Sequence, residues 1–194
     1  MTFLLRLGTL CGVVSGLFIA LPGAVEAFTG ETAPTSVVLA LSPALAAPLL
    51  TALYLGQARA GGRLAAIGYA VNIIGLGLFG GAAFTLNAAV YFLDDPVLAG
   101  TTRALLLGSV ALLVTGCVLF GLAMVRARVY PAAAAWAYTV VLPVFAFGAR
   151  LPESVLTSAL HVAAGATLIW LATAVRSSHD QGVPHVALTT TGTP

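Results

Sequence analysis

His161 is the only histidine that falls inside an apolar run of this chain. Its ring offers one nitrogen that donates and one that accepts a hydrogen bond. Glu153, Thr157 and His161 follow one another at i, i+4 and i+8, with Ser154 and Ser158 beside them. That spacing lays five polar groups along one helix face. On another run, Asn87 and Tyr91 stand four apart and share a face, and Asp94 and Asp95 follow about two helical turns beyond Asn87. The two sets fit a polar pocket. His161 and Asn87 would form its floor, Thr157, Ser158 and Tyr91 its wall, and Glu153, Asp94 and Asp95 its rim. Such a pocket would take a small cationic or amphipathic molecule. The alternative is structural. Ser and Thr bond to carbonyls of their own helix, and a His–Asn pair holds two helices together. Asn72 with Tyr69 reads the same way, and Trp136 and Tyr138 either line a cavity or face lipid.

The elements that must position these residues are set by composition. The chain has 194 residues, 60% of them hydrophobic and 7% charged, with a mean hydropathy of +1.05. Soluble domains carry about 25% charged residues, so lipid is the solvent that fits. A membrane helix needs about 20 mostly apolar residues. Six runs qualify, at roughly 4–21, 37–55, 64–93, 104–125, 129–149 and 154–175. The expectation is an all-α polytopic transmembrane bundle with six spans, occupying 1–176. A polar, disordered tail over 177–194 would follow, and His179 and His185 lie in it. The third run is long for one crossing. Tilt, or a break at Gly75, Gly77, Gly80 and Gly81, would accommodate it. Pro22, Gly23, Gly30 and Pro34 mark a first loop, Gly61 and Gly62 a second. Pro43, Pro48 and Pro143 fall inside spans and should kink them.

Arginine placement sets the orientation, because positive residues stay on the cytoplasmic side. With both termini inside, the cytoplasmic segments hold Arg6, Arg59, Arg63, Arg126, Arg128 and Arg176, six of the 8 basic residues. The outer segments then hold Glu26, Glu31, Asp94, Asp95 and Glu153, five of the 6 acids. One competitor concerns the first run, which with Val25-Glu26-Ala27 also fits a cleaved secretory signal. Cleavage would leave five spans and the remaining topology unchanged.

Residues 7–16 (LGTLCGVVSG) match 107–116 (LGSVALLVTG) without a gap, and at the same offset Pro43 meets Pro143. A duplication of three helices would give halves of opposite orientation; Ala/Leu/Val/Gly-rich runs also match by chance. Gly12-x-x-x-Gly16 and Gly77-x-x-x-Gly81 are small-xxx-small patterns that let helices approach closely, within a chain or between copies. Cys11 and Cys117, both in apolar runs, read as small buried hydrophobes.

Glu31-Thr32-Ala33-Pro34-Thr35-Ser36, the run Ile73 to Ala82 (IIGLGLFGGA) and the run Ser158 to Ala166 (SALHVAAGA) resemble small, roughly six-helix membrane proteins of high-GC bacteria, a group with no assigned activity. The resemblance implies a shared fold and topology and carries over no catalytic residue.

No P-loop, GxSxG or HExxH pattern is present. No paired histidines offer a haem site, no charged ring an ion filter, and no basic patch a nucleic-acid surface. No cofactor or metal is expected. The expected surroundings are the lipid bilayer of a bacterial inner membrane and either a second copy or a membrane partner protein. Three classes stay open. The first is a binder or transporter of a small molecule. The second is a scaffold subunit working through helix packing. The third is an enzyme on a lipid or isoprenoid, with Glu153 or Asp95 as acid and His161 assisting; Leu151-Pro152-Glu153 resembles the Pro-x-Glu segments of small membrane cyclases, with the spacing incomplete, and this class ranks third.

Overall fold

The computed structural model describes residues 2–88, 100–148 and 154–181. It contains α1 (Thr2–Thr29), α2 (Ala33–Ala88), α3 (Gly100–Ala127), α4 (Ala132–Gly148) and α5 (Val155–Gln181). No strand occurs among the described residues. α1, α2, α3 and α5 are long and apolar enough to cross a membrane, and α4 is a shorter apolar helix of 17 residues. The protein is a helical membrane bundle.

α2 covers two of the expected spans in one element of 56 residues. The Gly61–Gly62 connector is a single backbone reversal. Gly62 has φ 54° and ψ −145°, a region open essentially to glycine alone. Nothing lies within 4 Å of where a Cβ would stand, so the requirement is purely one of backbone. The two arms, 33–61 and 63–88, fold back on each other. Tyr54 stacks on Tyr69 at 4.5 Å, Thr51 Oγ1 lies 3.2 Å from the Tyr69 hydroxyl, and Pro43 packs on Gly80. Those pairings run antiparallel. The second arm stays helical through Gly75, Gly77, Gly80 and Gly81 to Ala88, without the break that the glycines offered. Pro22 likewise lies inside α1 rather than in a loop. A proline inside a membrane helix is tolerated where neighbouring groups satisfy the freed carbonyl.

Glycine sets how closely the helices meet. A Cβ on Gly16 would strike the Gly165 carbonyl of α5, and one on Gly116 would strike the Asn72 backbone of α2. Gly68 and Gly75 similarly face the α3 backbone at Phe120 and Leu113. With lipid as solvent, such contacts, rather than hydrophobic burial, drive association. Gly12 and Gly16 thus serve packing within the chain. By contrast, Gly77 and Gly81 face open space.

The helices close a ring in the order α1, α2, α3, α4, α5 and back to α1. Ala52, Leu53, Ala65, Phe120, Met124 and Leu171 are fully buried. Phe28, Leu105 and Val155 point outward, as expected of lipid-facing positions. Antiparallel packing gathers Arg6, Arg59, Arg63, Arg126, Arg128 and Arg176 at one end of the bundle and puts Arg103 at the other.

Candidate functional site

The ring encloses a cavity of about 150 Å³ to which all five helices contribute. Its walls are mainly Leu, Ile, Phe and Ala side chains, including Ile19, Leu50, Leu76, Phe79, Leu113 and Leu142. Among the described residues, no Asp, Glu, Lys or Arg lines it. Polar groups occupy its two ends. From Asn72 to Asn87 along one arm of α2 the distance is on the order of 20 Å at helical rise.

At the deep end Asn72 Nδ2 donates to the Tyr138 hydroxyl at 2.5 Å. Cys117 Sγ lies 3.8 Å from Asn72 Oδ1 and 3.9 Å from the Tyr138 hydroxyl. Phe120 meets the Tyr138 ring edge-on, with centroids 6.1 Å apart. Three helices are therefore tied by one buried polar group. Burial without partners would cost each of these atoms free energy, and the cluster removes that cost. Ser42, which also lines the cavity, holds α2 to α1 by accepting from Ser15 Oγ at its carbonyl, 2.8 Å away.

Toward the arginine-poor end stands His161. Its Nδ1 is 2.8 Å from the Thr157 carbonyl. A carbonyl can only accept, so Nδ1 is the donor, and the other ring nitrogen, Nε2, faces away from this bond. Among the described residues Nε2 has no hydrogen-bond partner. The Phe145 ring meets the imidazole edge-on at 4.9 Å. Across from it, the α1 backbone at Gly23 comes so close that a Cβ there would strike His161 Cβ. His161 is held on three sides, by its own helix, α4 and α1.

The structure brings His161 and Asn87 to the same cavity, with no hydrogen bond between them; the Asn87 amide donates to Ala83 O at 2.9 Å in its own helix. Thr157 and Ser158 sit at the start of α5. Thr157 is buried; its Oγ1 accepts from Ser154 N at 2.9 Å and donates to Ser154 O at 2.8 Å. Half-buried Ser158 stands against Gly23. Tyr91, Asp94, Asp95 and Glu153 lie outside the described residues, as do Leu151, Pro152 and most of the 177–194 tail. Tyr138 lines the cavity, whereas Trp136 is exposed on the outside of α4. Asn72 and Tyr138 were singled out in the sequence, but their grouping with Cys117 was not legible, because the three lie on different helices and share no helical spacing. Asn72 in a long apolar run was the stronger signal of the two.

No protein-family model, no curated protein and no solved structure matches the chain.

Proposed function

We propose that this protein is a six-span bacterial inner-membrane protein, with both termini in the cytoplasm, that binds a small, neutral, amphipathic molecule in its central cavity. The observation that carries the reading is the cavity itself, an apolar chamber with His161 near one end and an Asn–Cys–Tyr group at the other. An apolar void of similar volume elsewhere holds a benzene-sized guest. A ring or short branched group bearing one hydroxyl or carbonyl fits the space, and the histidine supplies its polar contact. Among the described residues the lining carries no charge, which disfavours a cation. Counting each arm of α2 and the 17-residue α4 as crossings, with α1, α3 and α5, makes six spans, and the end of the bundle rich in arginine is assigned to the cytoplasm.

The test uses 4-fluorophenol, a neutral ring with one hydroxyl, and protein in lipid nanodiscs. A bound fluorine resonance should appear with the native chain. It should vanish when Ala46→Phe or Leu113→Phe fills the chamber, with helical circular dichroism unchanged. The same bound signal in native and filled proteins would sink the reading.

A second reading, a scaffold working through helix contacts, has one observation in its favour. Gly77 and Gly81 lie open on the outer face of α2, beside exposed Ile74 and Leu78. Cross-linking in membranes that captures dimers of the native chain but not of Gly77→Leu would favour it.

A further inference from the structure

A groove lies on the outside of the bundle, lined by none of the residues of the central cavity. The first turns of α1 and the last turns of α5 run antiparallel, and between them opens a groove of about 460 Å³. Arg6 of α1 and Arg176 of α5 flank it, and both are exposed. From Arg6 the groove continues along α1 past Thr9 and Leu10 to Val13, roughly 10 Å deeper at helical rise. Val175 forms its buried base. Two guanidinium groups at one end and an apolar track at the other match one molecule that a membrane protein always meets, an anionic phospholipid.

We infer that this groove is a binding site for an anionic glycerophospholipid, with Arg6 and Arg176 on its phosphate and an acyl chain against Leu10 and Val13. Guanidinium groups suit phosphate because their N–H donors form a planar fork. The Thr9 hydroxyl already donates to Leu5 O at 3.0 Å, so donation to the headgroup falls to the arginines. Basic pockets between helices at the cytoplasmic face are where lipid headgroups are retained. The groove is well away from the central cavity, and the inference stands without the reading of that cavity. It makes α1 and α5 a seam that lipid bridges at the arginine-rich end. There the glycine contacts at Gly12 and Gly16, one to three turns deeper, already hold the two helices together.

The experiment is native mass spectrometry of the full chain in mild detergent, titrated with dioleoyl-phosphatidylglycerol or dioleoyl-phosphatidylcholine. One phosphatidylglycerol should bind with roughly tenfold or greater preference over phosphatidylcholine, as expected for two arginines. Arg6→Gln and Arg176→Gln should each remove most of that preference. Arg63→Gln removes the same charge from the same end but away from the groove, and should leave it intact. Leu10→Asn should weaken both lipids while inorganic phosphate at millimolar concentration fails to displace phosphatidylglycerol. Equal losses from Arg63→Gln and Arg6→Gln would overturn the site in favour of diffuse charge attraction. Displacement by inorganic phosphate would overturn the lipid and leave an anion site. Glutamine keeps the helix propensity of these exposed positions, so misfolding does not confound the comparison.

Discussion

The amide of Asn72 on α2 donates to the hydroxyl of Tyr138 on α4, residues that are far apart in sequence and joined only by the closing of the helix ring. Cys117 of α3 completes the group. Interhelical hydrogen bonds in membrane proteins are worth about 0.6 kcal/mol on average and about 1.7 kcal/mol at most. Tyr138→Phe should therefore lower stability by about 1 kcal/mol. In a double-mutant cycle with Asn72→Leu, the two losses should fall short of additive, read by unfolding in mixed micelles. Full additivity would show that the pair is not coupled.

The α2 hairpin depends on one residue. Gly62→Ala forces a side chain into a backbone region that only glycine occupies, at a cost of about 1–3 kcal/mol. Gly81→Ala, on the second arm with open space at its Cβ, should be close to neutral. Comparing thermal aggregation midpoints of the two variants separates backbone strain from a general intolerance of substitution. Equal midpoints would remove the strain argument.

Gln57 is fully buried, and neither its amide nitrogen nor its oxygen has a hydrogen-bond partner. An unsatisfied buried polar group costs about 1–3 kcal/mol. Gln57→Leu keeps nearly the same volume and removes that cost, so its melting temperature should rise. A drop would mean that the amide is satisfied by water and holds the hairpin end together.

How far the residues spoke for themselves differs from place to place. Helical character and membrane length were legible because long apolar runs leave little alternative once backbone groups must be satisfied internally. His161 and Asn87 were legible as polar interruptions of those runs, and both line the cavity. The roles of Thr157 and Ser158 at the start of α5 were harder to see, although a signal exists. Glu31-Thr32-x-x-Thr35-Ser36 and Glu153-Ser154-x-x-Thr157-Ser158 share one pattern. In the first, Thr35 Oγ1 accepts from Thr32 N and donates to Thr32 O, as Thr157 does with Ser154. The repeat marks helix starts, where side chains take up orphan backbone donors. The continuous path of α2 through Gly75–Gly81 was not legible, because glycine permits a break without requiring one. Packing of Gly75 on the α3 backbone uses its small size instead.

The central claim is a chamber that reaches His161 and admits a small molecule. It is tested most directly by thiol access at that position. Cys11 and Cys117 are replaced by alanine, His161→Cys is introduced, and intact cells are treated from outside with a membrane-impermeant methanethiosulfonate. Gly100→Cys, exposed with open space at its Cβ at the arginine-poor end, serves as the accessible control. Labelling at position 161 at a rate approaching that of the control, blocked when Ala46→Phe fills the chamber, is the predicted result. Labelling of the control alone would contradict the account, because it would leave His161 sealed inside the helix packing.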